Sequence, residues 1–167
     1  YFDNGQIEYQ GEWKQGERDG HGTAYHRETG NKRYEGHFKK GMPDGHGTSY
    51  FDNGQIEYQG EWKQGQRDGH GTAYRETGNK KYEGHFEKGM PDGSGTSYLD
   101  NGQIEYDGEW KQGERDGHGT SYFVNGQIEY EGEWKQGVLD GHGTAYDWQT
   151  GHKVYEGEWK QGVPDGH

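Results

Sequence analysis

The chain has 167 residues, enough for one domain or one array of repeats. Only 24% of the residues are hydrophobic while 15% are aromatic, so an aliphatic globular core is excluded and the buried surface is expected to be aromatic. The formal net charge of −12 repels phosphate groups, which argues against nucleic acid and against anionic membrane lipids as partners.

The first residues, YFDNGQIE, contain a turn signal and lead into an alternating segment. Asn4-Gly5 predicts a tight hairpin turn, because these residues accept positive φ. From Ile7 to Trp13 the residues alternate with period two, which is typical of a half-buried strand. One face is expected to carry Ile7, Tyr9, Gly11 and Trp13, and the other face Glu8, Gln10 and Glu12.

After a polar turn around Gly16 the chain returns in a second strand from His21 to Tyr25, and the whole pattern then recurs. Seven copies follow one another at steps of 24 or 25 residues, which indicates a tandem repeat array. All 34 glycines fall in five columns of this repeat, as expected for one backbone template used seven times. The first to seventh repeats open at Tyr9, Tyr34, Tyr58, Tyr82, Tyr106, Tyr130 and Tyr155.

The second and fourth repeats vary the theme. Each has phenylalanine in place of tryptophan, and each has a Met-Pro-Asp-Gly segment, Met42 to Gly45 in the second repeat. Proline presets φ for a turn and cannot donate to a strand ladder, so Pro43 is expected in a turn. The third and fourth repeats copy the first two almost letter for letter.

Each repeat therefore predicts strand, turn, strand, turn, and no segment has the period of a helix. The expected fold class is all-β: an elongated, twisted single-sheet array of antiparallel β-hairpins, with about 14 strands. Residues 1–167 are expected to form a single array that is truncated at both ends. Closure into a barrel is the alternative. The hairpin register stays open, with Trp13 opposite either Gly20 or His21.

The repeat word Y-E-G-E-W-x-x-G-x-x-D-G-x-G-T, as in Tyr130 to Thr144, resembles the MORN repeat (membrane occupation and recognition nexus). The match extends over essentially the whole chain, and the N-G-Q-I-E-Y and D-G-H-G segments look most like bacterial variants of the repeat. Choline-binding cell-wall repeats, whose aromatic hairpins form cages for quaternary ammonium groups, are a second resemblance. The 24-residue period and the Tyr-x-Gly-x-Trp word fit the MORN repeat better.

The MORN resemblance implies an array of hairpins with an aromatic-lined groove that acts as a scaffold and protein-binding surface. Some members lie at membrane junctions or beside lipid kinases or methyltransferases, and some related bacterial proteins look like antitoxins or immunity proteins. We therefore expect a non-catalytic scaffold that binds a protein partner or itself. The alternative is a lipid-binding or membrane-associating module that positions a neighbouring domain, although the exposed positions here are Glu and Gln rather than a basic stripe.

The aromatic columns are expected to form the core, and also the candidate binding groove, since a single layer cannot bury every ring. The candidate residues are Tyr9, Trp13, Tyr34, Phe38, Tyr58, Trp62, Tyr82, Phe86, Tyr106, Trp110, Tyr130, Trp134, Tyr155 and Trp159. Stability is expected to depend on contacts between neighbouring repeats.

No catalytic residue, metal site or cofactor is expected. The histidine column consists of His21, His46, His70, His118, His142 and His167, with Ser94 interrupting it. Equivalent residues of successive hairpins are about 9.5 Å apart, so these histidines are expected to be exposed or turn-capping rather than metal ligands. Glu129, Glu131 and Glu133 are expected on one face, but a solvated strand produces such carboxylate pairs automatically. The chain has no cysteine, which fixes no compartment, and a cytoplasmic location is favoured.

Overall fold

The computed structural model describes residues 1–166, so His167 of the predicted histidine column lies outside the described residues. Within residues 1–166 all regular structure is β, in fourteen strands. The strands are β1 (Tyr9–Lys14), β2 (Glu17–Tyr25), β3 (Lys32–Lys39), β4 (Met42–Tyr50), β5 (Ile56–Lys63), β6 (Gln66–Tyr74), β7 (Lys80–Glu87), β8 (Met90–Tyr98), β9 (Ile104–Lys111), β10 (Glu114–Tyr122), β11 (Ile128–Lys135), β12 (Val138–Tyr146), β13 (Lys153–Lys160) and β14 (Val163–Pro164).

The strands follow one another in chain order, from β1 to β14, in one open sheet. This confirms the predicted all-β meander of hairpins, with two strands from each repeat. By its internal contacts the chain divides into two blocks. The N-terminal block comprises residues 1–79 and 86–89, and the C-terminal block comprises residues 80–85 and 90–167.

The tight turn inside each repeat is a two-residue hairpin loop. In the third repeat Gln64 has a φ of 49° and Gly65 a φ of 80°. Positive φ at both central residues defines a type I′ turn, for which asparagine is the usual first residue. Here glutamine or lysine takes that position in every repeat. The left-handed conformation of a residue other than Gly or Asn was not apparent from the sequence.

The connection between repeats is a wider loop, and it contains the predicted Asn-Gly turn. Phe51 N donates to Gln55 O at 2.8 Å, and Gly54 N donates to Phe51 O at 2.9 Å. Only the glycine has positive φ, 85°. The asparagine acts through its side chain instead: Asn53 Oδ1 accepts from Gln55 N at 2.9 Å, and Asn53 Nδ2 donates to Glu76 O of the next connection at 3.1 Å. Successive connections are thereby joined.

From the second repeat onward, each tight turn is also held by the repeat before it. Gly65 N donates to Pro43 O at 2.8 Å, and Gln64 N donates to Asp44 Oδ2 at 3.2 Å. Pro43 thus lies within β4, opposite Phe38, and the prediction that this proline lies in a turn was wrong. A strand residue directs its N–H and C=O to the same side. At Pro43, the N–H that proline lacks would therefore point toward the neighbouring tight turn. That turn uses only the carbonyl of Pro43, as a hydrogen-bond acceptor, so proline loses no hydrogen bond there.

β-Bulges interrupt the strict alternation at the start of the first strand of a repeat. Between β10 and β11 the register shifts between Ser121 and Tyr122, which leaves Glu129 as the extra residue. A bulge re-aims the side chain of the extra residue, and Ser121 Oγ, which is buried, donates to Glu129 Oε2 at 3.0 Å. The prediction that Glu129 shares a face with Glu131 and Glu133 was therefore wrong.

The first repeat also departs from the predicted alternation, at Glu8, the residue that corresponds to Glu129. The Glu8 carboxylate forms an ion pair with Arg18 at 2.9 Å, and the Arg18 guanidinium lies over the Tyr9 ring, 4.9 Å from its centroid. Glu8 therefore reaches the same face as Tyr9, and the prediction that it faces the other way was wrong. One extra residue in the ladder is enough to exchange the faces, although the repeat period does not change.

The register of the first hairpin also differs from both expected alternatives. Trp13 lies opposite Arg18, because a bulge sits between Gly11 and Trp13 in the pairing of β1 with β2. His21 instead lies opposite His37 of β3. Its neighbour Gly20 lies opposite Phe38, which takes the tryptophan position in the second repeat. Successive residues of a strand point to opposite faces, so the histidines and the tryptophan column occupy opposite faces of the sheet.

Close approach explains two of the glycine columns. A Cβ at Gly71 would lie 2.3 Å from Cζ of Tyr58, and a Cβ at Gly60 would lie 2.4 Å from Cα of Gly71. The Tyr58 ring thus lies flat over two glycines, and its side chain has no exposed surface. Any side chain at either glycine would occupy the space of the ring or the facing strand.

Candidate functional site

The opening tyrosines form the centre of an aromatic ladder on one face of the sheet, here called the tyrosine face. In the N-terminal block the Tyr34 ring is edge-on to Phe38 of its own repeat, at 5.0 Å between centroids, and to Trp62 of the next repeat, at 5.3 Å. Tyr58 lies 5.1 Å from both Trp62 and Phe86. Such pairs add about 0.5–1.5 kcal/mol each beyond area burial. The rings of Tyr34 and Tyr58 therefore each stabilise two repeats.

The C-terminal block repeats this arrangement. The Tyr106 ring lies 5.1 Å from Trp110 and 5.3 Å from Trp134. The polar atoms of the rings are satisfied locally, since Tyr106 Oη donates to Glu109 O at 3.0 Å and Trp134 Nε1 donates to Gly119 O at 3.2 Å. The aromatic groups are thus fixed in place. The Tyr106 hydrogen bond stays within β9, whereas the Trp134 hydrogen bond links β11 to β10.

Arginines cover the tyrosines of alternate repeats, which the sequence patterns did not predict. Arg115 lies 4.8 Å from the Tyr106 centroid and 5.1 Å from the Trp134 centroid, and it pairs with Glu105 at 3.6 Å. Burial raises the pKa of Tyr106 to about 12, and the nearby Arg115 partly opposes this rise. The available signal was the Arg-Asp-Gly segment, which alternates with Pro-Asp-Gly in the same column over the first five repeats.

The structure places most of the fourteen candidate groove residues in the interior. Nine are buried: Tyr34, Phe38, Tyr58, Tyr82, Phe86, Tyr106, Tyr130, Trp134 and Trp159. Tyr9, Trp62, Trp110 and Tyr155 are half-buried, and Trp13 is 59% exposed. The aromatic columns are therefore the core. That they also bind a ligand stays a prediction, and it rests on the rings that keep an accessible edge.

One groove on the tyrosine face of the N-terminal block gives such access. Its volume is about 620 Å³. Phe38, Pro43 and the half-buried Trp62 supply apolar lining, while Arg33 and Glu76, both exposed, supply charged lining. Proline in place of arginine leaves the second repeat without a guanidinium over its tyrosine, which explains why apolar surface is accessible here.

The opposite face, here called the polar face, carries a second tyrosine column that was not predicted. In this column Tyr98 Oη donates to Glu83 Oε2 at 3.4 Å, and nearby Thr96 Oγ1 donates to Asp107 at 2.8 Å. Burial, chiefly, raises the pKa of Tyr98. The half-buried members of the column are Tyr25, Tyr50, Tyr74, Tyr98, Tyr122 and Tyr146.

The histidine column lies on the polar face, and its described members are exposed, as predicted. Two of them contact carboxylates: His142 Nδ1 lies 3.4 Å from Glu158, and His118 Nε2 lies 3.9 Å from Glu133. His21 contacts another histidine, His37, with 5.0 Å between ring centroids. The position of His37 in the strand between two column members was not considered in the sequence patterns.

Within residues 1–166, no group of three or more His, Cys, Asp or Glu side chains is already assembled around a common point that a metal ion could occupy. The carboxylates at predicted strand positions serve the fold, as Glu133 Oε2 accepts from His142 N at 2.6 Å.

Across the part of the chain that the structure describes, no helix has the length and apolarity needed to cross a bilayer.

A sheet of serial hairpins whose rings are shared between neighbours defines a tandem β-hairpin repeat protein. The family model of the MORN repeat matches the chain at residues 9–26, 34–56, 58–80, 82–104, 106–128, 130–152 and 155–167. These matches span most of the sequence, and the chain belongs to the MORN repeat family. The MORN repeat is a non-catalytic repeat type, consistent with a scaffold or a membrane-associating module. No curated protein matches the chain.

Proposed function

We propose that the chain is a non-catalytic scaffold that binds a protein partner in the groove of the tyrosine face. The observation that carries the proposal is the apolar lining of the groove, accessible at the half-buried Pro43 and Trp62, beside the charged Arg33 and Glu76. Apolar surface with polar groups at its margin is the usual anatomy of a protein-binding patch. The groove lies on a sheet that hydrogen bonds hold rigidly, so little order must be gained on binding.

The charge of the chain selects the partner further. A net charge of −12 steers basic partners toward the surface and repels acidic ones. The proposed occupant is an extended, basic segment of another protein with an aromatic or proline anchor, because such a side chain packs against Trp62 and Pro43. A second copy of this acidic chain is a poorer occupant at low ionic strength, since the like charges repel.

Fluorescence titration with two synthetic peptides tests the proposal. One peptide has tryptophan and proline at its centre and lysines on both sides of them. The other peptide has glutamate in place of each lysine. The basic peptide is expected to bind, and Glu76→Lys is expected to weaken it by about threefold to tenfold, as for one rim charge. Glu28→Lys is the matched control, because Glu28 lies in the same Glu-Thr-Gly segment of another connection but does not line the groove.

Equal binding of both peptides would refute the preference for a basic partner, and equal loss in the two variants would refute the groove as the site. Sedimentation of the free chain over a range of concentrations would reveal self-association separately. Far-ultraviolet circular dichroism of both variants checks that they keep the sheet. The side chains of Glu76 and Glu28 are exposed, so neither change is expected to unfold it.

A membrane-associating function is the second candidate, and exposed apolar side chains favour it. In the C-terminal block, Val138 and Val163 follow the tight turns of successive repeats and are 45% and 60% exposed. Apolar side chains at such turns could enter the headgroup region of a bilayer. The net charge of −12 opposes this on an anionic surface. A Val138→Ser/Val163→Ser variant should lose membrane binding if these side chains insert.

A further inference from the structure

We propose that His21, His37 and His46 form a zinc-binding site on the polar face of the N-terminal block. The three residues lie on the consecutive strands β2, β3 and β4, and they line one shallow depression. All three side chains are exposed, so their rings are free to rotate toward a common ion. The site is separate from the proposed groove, which lies on the other face of the sheet.

The pairing of β2 with β3 brings the first two imidazoles together. His21 N donates to the Glu12 carboxylate on β1, so the backbone polar groups of His21 point away from β3. His21 and His37, directly opposite, thus form a non-hydrogen-bonded pair, the arrangement in which side chains stand closest. Their ring centroids are 5.0 Å apart. Two imidazoles bound to one zinc at about 2.0–2.1 Å, with a tetrahedral angle between them, have about the same separation.

Glycine lets the third histidine approach. A Cβ at Gly45 would lie 3.2 Å from Cβ of His37, so the absence of a side chain at Gly45 leaves room for His37 to lean toward β4. His46 is the next residue on that strand. Opposite charges balance in the depression, where the charged lining residues are Asp19, Asp44, Lys14 and Lys39.

The three rings do not converge on one point in the free chain. Binding therefore requires rotation of exposed side chains, and the expected affinity is moderate, with a dissociation constant in the micromolar range. Imidazole nitrogen suits zinc, and three histidines leave a fourth position for water. Binding needs neutral imidazoles, so acid should abolish it.

The sequence shows why the second repeat is special. Only on β2, β3 and β4 do the equivalent positions of three consecutive strands all carry histidine. In five of the other repeats the middle position is glutamate. In four of these the carboxylate accepts a backbone N–H, as Glu133 does from His142 N at 2.6 Å. In the fourth repeat Ser94 takes the position that corresponds to His46. The array thus already contains the substitution that tests the site.

Titration calorimetry with zinc chloride at pH 7.4, in a buffer that does not chelate, tests the proposal. The intact chain is expected to bind one zinc ion. His46→Ser is expected to lower the affinity by at least about tenfold, since even the loss of an outer-shell partner costs about 10–100-fold. His37→Gln should do the same. His118→Ser is the matched control, because His118 lies in the same column but faces Glu133.

Zinc should also raise the melting temperature of the intact chain, and this rise should vanish in His46→Ser and at pH 5.5. Circular dichroism without zinc checks that the variants fold. Absence of zinc binding at pH 7.4 would overturn the proposal. So would unchanged affinity in both His46→Ser and His37→Gln, or an equal loss in His118→Ser, because zinc would then bind elsewhere on the histidine column.

Discussion

Substitution of Gly71 by alanine tests the packing of the ladder most severely. The added Cβ would lie 2.1 Å from Oη and 2.3 Å from Cζ of Tyr58, inside the van der Waals envelope of the ring. Gly71 does not have positive φ, so its backbone accepts alanine without strain. The ring must therefore leave its place, and every contact it makes is lost with it.

The magnitude follows from those contacts. Tyr58 has no exposed surface, lies edge-on to Trp62 and Phe86, is covered by Arg67 at 4.9 Å, and donates to Glu61 O at 2.9 Å. Two ring pairs at about 0.5–1.5 kcal/mol each, with a hydrogen bond of about 0.5–1.5 kcal/mol, account for most of the loss. We expect destabilisation of about 3–5 kcal/mol, as for truncation of a buried aromatic residue.

Urea denaturation followed by circular dichroism, with amide hydrogen exchange to locate the loss, measures this effect. Gly54→Ala is the control, because Gly54 has a φ of 85° and open space around its Cβ position, so backbone strain alone should cost about 1–2 kcal/mol. In a Tyr58→Ala background, Gly71→Ala should add less than about 1 kcal/mol, since the clash is gone. Equal costs in both backgrounds would refute the explanation.

Three further predictions concern the ionisation of the ladder, the turn hydrogen bonds and the tolerance to proline. The pKa of Tyr106 is raised to about 12, so stability is full below pH 10 and is lost as pH rises toward 12, which alkaline urea titrations should show. Asp116→Ala removes the acceptor for Gln136 N, at 3.2 Å, and should cost about 1 kcal/mol and speed exchange of that amide. Arg115→Pro should fold with a loss of about 1–2 kcal/mol, whereas Thr120→Pro, in the middle of β10, should cost about 3 kcal/mol or more in thermal melts.

The architecture was predictable because each repeat makes its contacts within itself or with the next repeat. A tyrosine every 24 or 25 residues, with glycines at fixed offsets, is enough to specify one hairpin template. The assignment of the aromatic columns to the core follows in the same way, since few other apolar side chains are available. Tyr34 and Tyr58 thus lie where the pattern put them.

The local departures were not predictable from the period. A bulge adds a residue to one strand but leaves the repeat length unchanged, so nothing in the spacing showed that Glu129 would turn to the tyrosine face. Pro43 fits a strand only because its missing N–H points at a turn of the next repeat. The proximity of His21 and His37 depends on the register of two strands, which the sequence left open.

The central functional claim is that this acidic array binds protein rather than lipid, and liposome co-sedimentation tests it most directly. Vesicles with and without phosphoinositides are mixed with the chain at about 150 mM salt, where charges more than about 8 Å apart are screened, at pH 7.4 and at pH 5.5. We predict that the chain stays in the supernatant at pH 7.4, because its net charge is −12. Strong sedimentation with phosphoinositide vesicles at pH 7.4 would contradict the claim, and binding only at pH 5.5 would assign lipid binding to protonated histidines of the polar face.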